Sequence, residues 1–268
     1  EPVAEAEPAA RELIAPLMRT LAPGESLRLP DSSVAELLAK YGIDVVAALT
    51  VADEHEAVAA AEQLGWPVAL KARDEILRHR ADLGAVKLDL HTPEQLREAW
   101  HTMVEELAAV GRGVRRFEVQ TMVPPGVACV VRGTEDDLYG PVVAFGLGGD
   151  AVELLDDVAY RIPPLHQRDV SDMIASVKAA PRLFGHRGLP VLDTDALADI
   201  VARLAQLTDD LAEVREITLN PVLVARQGAR VLSARVVLAQ PWRTDTSRRT
   251  LSANLVTGAK MERWQTET

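Results

Sequence analysis

The chain has 268 residues, a formal net charge of -11 at pH 7, 48% apolar residues and 26% charged residues. This length is enough for one large domain or two smaller ones, and the balance of apolar and charged residues is that of ordinary soluble α/β proteins. The acidic balance excludes a general nucleic-acid binder, because such a protein needs a basic surface.

The sequence contains a single cysteine, Cys129, in the apolar run VACVV. One cysteine excludes a disulfide scaffold and a cysteine-rich metal site. Its ordinary role is that of a buried strand residue, and such sparse cysteine usage favours a reducing cytoplasm. No apolar run reaches membrane-spanning length and no signal peptide opens the chain. The first residue is Glu1 rather than methionine, which suggests excision from a longer polypeptide.

The first elements alternate between helix and strand. EPVAEAEPAA has the composition of a linker, and a helix is expected near residues 10–21. SSVAELLAKYG predicts a helix with a capping box at Ser33 and Glu36 and a stop at Gly42. IDVVAALTV then predicts a strand, DEHEAVAAAEQLG a helix and WPVALKA a buried strand. This β-α-β order is typical of α/β sheets.

After a basic segment, the pattern becomes richer in strands. AVKLDL predicts a strand, and TPEQLREAWHTMVEELAAVG a long helix capped by Thr92. Helices near RDVSDMIASVK and DTDALADIVARLAQLTDDL interrupt the strand-like runs RRFEVQTM, VACVVRG, PVVAFG, VELLDDVAYRI, REITLNPVLV and ARVLSARVVL. A small alternating lobe therefore precedes a larger lobe of antiparallel strands.

Lys71 ends the apolar strand PVALK. An ammonium group that leaves a buried strand needs a partner because its desolvation is costly, and a phosphate would serve. A lysine that reaches from a strand end to water is an equally weighted alternative. The sequence contains neither a GxxxxGK[ST] loop nor a GxGxxG fingerprint, so a phosphate would have to be bound in another way.

The basic segment KARDEILRHRADLG places His79 between Arg78 and Arg80, three residues before Asp82. Flanking cations favour the neutral, nucleophilic imidazole and can hold an anion beside it. A solvated basic loop is the alternative for an isolated RHR. The glycines of FGLGG, which include Gly148 and Gly149, indicate either a close backbone approach to a ligand or a plain turn.

Taken in order, several segments resemble the ATP-grasp subunit of ADP-forming acyl-CoA synthetases, which are relatives of succinyl-CoA synthetase. These segments are PVALKARDEILRHRADLGAVKL, VQTMVPPG, GPVVAFGLGG, VELLDDVAYRIPPL, LFGHRG and ITLNPVLV. The chain looks closest to the version fused to CoA-binding domains and a GNAT-type acetyltransferase in actinobacterial proteins. The resemblance implies such domains as partners in the same polypeptide.

The implied architecture is an ATP-grasp fold of the α/β (α+β) class, in which two lobes sandwich a nucleotide. A linker and lead-in helix would occupy residues 1–29, the first lobe 30–118, the second lobe 119–240, and a polar tail 241–268. The implied cofactors are ATP or ADP and Mg²⁺. The family reaction converts acyl-CoA, ADP and phosphate to acid, CoA and ATP by way of phosphohistidine.

The resemblance also implies a role for individual residues. His79 would carry the phosphoryl group, with Arg80 and Asp82 beside it, and Glu153 and Asn220 would lie near the phosphates and the metal. The nucleotide-binding residues would be Lys71, Val119, Gln120, Met122, Gly148, Gly149 and Arg161. The basic cluster would then neutralise a travelling phosphoryl group, since phosphoryl transfer is mostly positioning and charge stabilisation.

Two departures from the family pattern affect the metal. The family has acidic residues where this chain has Thr218 and Ser233, and Mg²⁺ usually rests on one or two carboxylates plus substrate phosphates. Either the phosphoryl-transfer chemistry is weakened, or the module is an inactive pseudo-synthetase that regulates or scaffolds a fused acetyltransferase. A carboxylate elsewhere, such as Asp150, Asp156 or Asp157, could also restore the metal site.

Overall fold

The computed structural model describes residues 3, 5–73, 85–109, 111, 113, 116–149 and 156–241. The chain divides into two compact units. The framework unit consists of Glu1–Val45 together with Pro125–Thr268, and the insert unit is Val46–Pro124. No helix in the described ranges is long and apolar enough to cross a membrane. The division into lobes at 30–118 and 119–240 follows from the family resemblance and stays a prediction.

The framework unit opens with α1 (Ala6–Met18), β1 (Ser26–Arg28) and α2 (Asp31–Lys40). The first helix begins four residues before its predicted start, because Ala6, Ala10 and Ile14 bury one face of it in the framework core. The first ten residues are therefore not all linker.

The predicted capping box at Ser33 and Glu36 is wrong. The second helix begins at Asp31, and its N-cap is Pro30, whose side chain cannot accept a hydrogen bond. Proline is pre-set for a helix entry through its fixed φ angle, which moved the start ahead of the serine. The predicted stop is confirmed, because the helix ends at Lys40 and Gly42 has a φ of +69°.

Within the described ranges, the insert unit contains two helices and a four-stranded sheet: β2 (Ala48–Val51), α3 (Glu54–Leu64), β3 (Val68–Ala72), β4 (Val86–Leu90), α4 (Pro93–Ala109) and β5 (Phe117–Thr121). The strands lie in the order β2-β5-β3-β4, and all neighbours are antiparallel. The Thr92 hydroxyl accepts from the Gln95 N–H at 3.3 Å, which confirms the predicted cap of α4.

Side-chain alternation gives the insert sheet two different faces. Leu70, Phe117 and Val119 point toward α3 and α4 and pack in one core with Trp100 and Met103. The alternate positions form what we call the polar face of the insert sheet: Thr50, Lys71, Arg73, Glu118 and Gln120.

The second part of the framework unit is mostly sheet: β6 (Val127–Asp136), β7 (Gly140–Leu147), β8 (Val158–Arg161), α5 (Gln167–Ser176), α6 (Thr194–Asp210), β9 (Val214–Val224), β10 (Ala229–Val231) and β11 (Ala234–Ala239). The strand order is β1-β11-β9-β6-β7-β8, with β10 also paired to β9, and every pair is antiparallel. The run ARVLSARVVL, expected as one strand, is divided at Leu232 and Ser233.

One face of the framework sheet packs on α6. Val131, Phe145 and Ile217 from this face lie in the same core as Leu197 and Leu204 of the helix. We call the opposite side the outer face of the framework sheet. Residues that alternate with the core positions, such as Arg132 and Thr218, lie on the outer face.

Cys129 lies in this core and is fully buried, as expected. Burial raises the pKa of its thiol to about 12, because the charged thiolate loses its hydration. A thiol in this state is a packing group and is not a nucleophile at neutral pH.

Gly133 sets how closely α6 approaches the sheet. A Cβ at this position would lie 2.2 Å from the Thr208 hydroxyl oxygen and 2.8 Å from a methyl carbon of Ile217. Thr208 cannot turn away freely, because it is buried and donates a hydrogen bond to the Leu204 carbonyl at 2.8 Å.

We therefore expect Gly133→Ala to lower the free energy of unfolding by about 1–3 kcal/mol, the usual cost of overpacking a core. Urea denaturation followed by circular dichroism measures this change. Gly113→Ala is the control, because its added Cβ meets no atom within 4 Å. Equal stability of the two variants would show that the helix is not held at this distance.

Candidate functional site

Buried Gln120 and half-buried Lys71 form a polar pair on the polar face of the insert sheet. Gln120 is 1% exposed, and its amide nitrogen donates to the Val46 carbonyl at 3.1 Å. The amide oxygen accepts a hydrogen bond from the Lys71 ammonium. Lys71 thus has a side-chain partner within the sheet, and its predicted contact with a phosphate stays a prediction. The neutral amide gives the Lys71 ammonium a defined direction on this face.

Arg73 adds a second cation to the same face. Its guanidinium donates to the Thr50 hydroxyl and lies 4.0 Å from the Glu118 carboxylate. Glu118 is the register partner of both Thr50 and Lys71, so the four side chains share a small area. Lys71 and Arg73 are therefore two cationic donors on one face, and ammonium and guanidinium groups are the donors that bind phosphate well.

The predicted hinge residues are not equivalent. Val119 is fully buried in the core against α3 and α4, so a ligand could contact only its backbone. Gln120 is on the polar face. Met122 follows β5, is partly buried, and donates its backbone N–H to the Pro67 carbonyl at 3.1 Å.

The glycines of FGLGG have separate roles in the framework unit. Gly148 donates its N–H to the Ala128 carbonyl at 2.8 Å, and an added Cβ would lie 3.2 Å from the Ala128 Cβ. This glycine therefore allows the chain to lie against β6. Gly149 has a φ of +116°, a conformation that side chains disfavour, and its position is open.

Arg161 ends β8 at the edge of the framework sheet. It is the register partner of Val143, which faces the core, and its guanidinium donates to the Tyr160 carbonyl at 2.8 Å. Tyr160 points to the other side, onto the outer face, and is 58% exposed.

Asn220 and Ser233 are brought together by the pairing of β9. The Asn220 N–H donates to the Ser233 carbonyl at 2.9 Å. The β6–β9 register shifts between Cys129 and Val131, directly beside Asn220, so an irregularity interrupts the ladder here. Irregularities of this kind redirect a side chain and are common next to binding sites. Asn220 and Ser233 therefore lie as neighbours on adjacent strand segments.

Thr218 lies two residues before Asn220 on the outer face and is a hydrogen-bond donor. Its hydroxyl lies 3.2 Å from a carboxylate oxygen of Glu216, and that same oxygen is 2.6 Å from the Arg235 guanidinium. The local carboxylate is thus held by an arginine and a threonine.

The described residues do not fit a protein-held magnesium ion. Asn220, Thr218 and Ser233 offer only neutral oxygens, whereas Mg²⁺ in such sites rests on carboxylates. No group of three or more His, Cys, Asp or Glu side chains that could hold a metal occurs in the described ranges.

Two of the three carboxylates that could restore a metal site are described, and neither belongs to a cluster of metal-binding side chains in the described ranges. Asp157 is buried, and it accepts from the backbone N–H groups of Lys178 and Ala179 at 2.8 and 2.9 Å. Asp156 is exposed, with a φ of +49°. The third, Asp150, lies outside the described residues, as do four predicted site residues: His79, Arg80, Asp82 and Glu153.

The sequence patterns did not single out Arg73, Arg132 and Arg235. Side-chain alternation within each strand predicts the sheet face on which each of these arginines lies. Only the register between strands shows that Arg132 and Arg235 both lie opposite Thr218.

A protein-family model and individual relatives both match most of this chain. The model of the ATP-grasp domain family matches residues 21–238. The chain is 34% identical over 219 residues to the beta subunit of acetate–CoA ligase [ADP-forming] I of Pyrococcus furiosus, which covers 81% of this chain and 94% of the relative. It is 36% identical over 208 residues to the beta subunit of the second such ligase of that organism, covering 76% and 88%.

Solved structures agree with the sequence matches. A structure of acetyl-coenzyme A synthetase 1 of Ca. Korarchaeum cryptofilum, in complex with coenzyme A and Ca-AMPCP, has a TM-score of 0.70 and 33% identity, and covers 85% of this chain and 99% of that chain. A second, with coenzyme A and Mg-AMPPCP and its phosphohistidine segment pointing towards the nucleotide-binding site, has a TM-score of 0.66, 32% identity and the same coverage. Longer relatives, such as the 4-hydroxybutyrate–CoA ligase of Nitrosopumilus maritimus, match over only 30% of their length.

The contact between Lys71 and Gln120 can be tested by a double-mutant cycle. Gln120→Leu removes the acceptor for Lys71 and leaves the Val46 carbonyl without its amide donor, so we expect a loss of about 1–3 kcal/mol in unfolding free energy. Combined with Lys71→Met, we expect a coupling energy of about 1 kcal/mol. Urea denaturation of the two single variants and the double variant measures it. Strictly additive losses would contradict the contact.

Proposed function

The chain belongs to the ATP-grasp domain family, and from this membership we propose that it binds an adenine nucleotide as the nucleotide module of an ADP-forming acyl-CoA synthetase-like protein. The observation that carries the proposal is the buried Gln120, which orients Lys71 on a cationic sheet face.

The insert sheet supplies the physical basis for phosphate binding. Lys71 and Arg73 donate hydrogen bonds on the polar face, and charge-assisted bonds to phosphate are about twice as strong as neutral ones. Gln120 and Thr50 restrict the two flexible cations, so less entropy is lost when a ligand binds. Glu118 balances part of the charge and keeps the face from repelling itself.

The proposed chemistry is phosphoryl transfer through His79, with Arg80 and Asp82 beside it. The bond between the γ-phosphorus of ATP and its bridging oxygen breaks as a bond from phosphorus to an imidazole nitrogen forms, and ADP leaves. The reverse step makes ATP from ADP. The named phosphohistidine segment in the Korarchaeum structure supports this assignment by similarity.

We further propose that this chemistry is slow. If a protein-held metal stabilises the transition state, its loss removes a few kcal/mol, and about 2.7 kcal/mol corresponds to roughly a hundredfold in rate. Nucleotide binding itself depends on the cationic groups and need not fall in proportion. The partners would be CoA-binding domains of a longer polypeptide, as in relatives such as the 4-hydroxybutyrate–CoA ligase, of which this module spans 30%.

A second candidate function is a catalytically inactive pseudo-synthetase that regulates or scaffolds a GNAT-type lysine acetyltransferase in the same polypeptide. The observation that favours it is the engagement of Glu216 by Arg235 and Thr218 where the family pattern has metal-binding carboxylates. In this alternative, the nucleotide is a signal rather than a substrate.

Nucleotide binding is tested by calorimetric titration of the chain with ADP and ATP. We expect Lys71→Met to weaken binding by about tenfold or more, because a charge-assisted contact is lost. Lys87→Met is the matched control. Lys87 lies on the neighbouring strand but pairs with Glu106 of α4 at 2.7 Å, on the helix side of the sheet. Equal weakening by both variants, or no nucleotide binding by the unmodified chain, would overturn the proposal.

Phosphoryl transfer is tested by incubation with radiolabelled ATP and detection of an acid-labile, alkali-stable label. We expect slow labelling that disappears in His79→Ala and persists in His91→Ala, whose histidine is exposed beside the start of α4. Nucleotide binding without any label, even over hours, would favour the pseudo-synthetase.

A further inference from the structure

Three residues form a straight row across the outer face of the framework sheet. Arg132 of β6 is the register partner of Thr218 of β9, and Thr218 is also the register partner of Arg235 of β11. Arg132 lies between the core positions Val131 and Gly133, and Arg235 precedes the buried Val236. Alternation therefore places both arginines on the same face as Thr218.

The two arginines are close enough to bind one ligand. Their backbones are separated by two strand spacings, about 10 Å, and each guanidinium can reach several ångströms inward over the short Thr218 side chain. Arg132 is exposed, and the Arg235 side chain is 43% exposed.

The charge of the row selects an anion. The described acidic side chain next to it is Glu216, two residues before Thr218 on the same face, and it is already 2.6 Å from Arg235. Two guanidiniums and one carboxylate leave a net charge of +1. A divalent cation placed here would be repelled by Arg132, whereas a phosphate could accept bidentate hydrogen bonds from it.

Beyond Arg132, the row continues with a small side chain and then an exposed aromatic one. Ala144 is the next register partner of Arg132, and Tyr160 is the partner of Ala144. A small side chain beside Arg132 leaves its guanidinium accessible, and the exposed Tyr160 offers a hydroxyl donor and an aromatic surface at the end of the row.

We propose that Arg132 and Arg235 bind the phosphate groups of the nucleotide directly, in place of a divalent cation held by carboxylates at positions 218 and 233. The inference rests on the proposed nucleotide binding and adds a specific consequence. The module should bind metal-free ADP or ATP at least as well as the magnesium complex, because the metal neutralises the charge that the arginines recognise.

The experiment is a titration of the chain with ADP, in magnesium chloride and separately in EDTA. We expect affinities that agree within about threefold, or tighter binding in EDTA. Arg132→Met should weaken binding in EDTA by roughly ten- to a hundredfold, the range for a hydrogen bond to a charged group. Arg230→Met is the control, because this exposed arginine belongs to β10 of the same sheet and lies outside the row.

A variant with carboxylates at positions 218 and 233 tests the converse expectation, that nucleotide binding then depends on magnesium. Thr218→Asp places a carboxylate between the arginines, and Ser233→Asp adds a second carboxylate beside Asn220. This change should weaken ADP binding in EDTA by about tenfold or more, and magnesium should restore it. Circular dichroism melting curves of all variants confirm that each remains folded.

The outcomes separate the two proposals. Magnesium-dependent ADP binding that Arg132→Met does not change would overturn the arginine site and leave the nucleotide module intact. No ADP binding in either condition would overturn the proposed function. Inorganic phosphate and pyrophosphate serve as further probes: binding of phosphate as tight as that of ADP would show a plain anion site and contradict recognition of a nucleotide.

Discussion

The antiparallel pairing of β9 with its neighbours is the constraint on which the framework unit depends. This long strand pairs with β6 on one edge and with β10 and β11 on the other. Its residues Ile217 and Leu219 and, after the irregularity beside Asn220, Val222 fill the core under α6. The same register fixes the opposite face, because a strand that buries every second residue must present the others together. Thr218 and Asn220 are therefore positioned by the hydrophobic core.

Side-chain alternation also organises the insert sheet, where it places a polar pair opposite the core. Leu70 and Val119 anchor the sheet against α3 and α4, and the intervening positions place Lys71 opposite Glu118. Gln120 is the unusual member, a buried amide that links the Val46 carbonyl to the lysine. A buried polar group must be hydrogen-bonded, so the network gives Lys71 a defined direction as well as a partner.

Fold and chemistry are separable in this chain. In the described part of the framework sheet, the neutral side chains Thr218 and Ser233 take ordinary places in and beside the strands that pair with β9 and β11. The net charge of the outer face decides what can bind there. Arginines beside a threonine favour phosphate, whereas carboxylates at the same positions would favour a cation. A few outer-face side chains can thus change the ligand while the core residues stay the same.

Sequence patterns alone predict most of the helices and strands, because periodicity and caps are local. Asp53 and Thr92 cap their helices, and the strand runs lie close to where alternation predicts them. The prediction of a helix start at Ser33 was wrong, because the helix begins at Asp31 with Pro30 as its N-cap. Motif order also indicated the family, and it named Lys71 and Gln120 as separate candidate site residues without predicting their contact. Only the tertiary structure decided that Val119 is core and that Arg132, Thr218 and Arg235 form one row. Register joins residues about a hundred positions apart, and no local pattern encodes it.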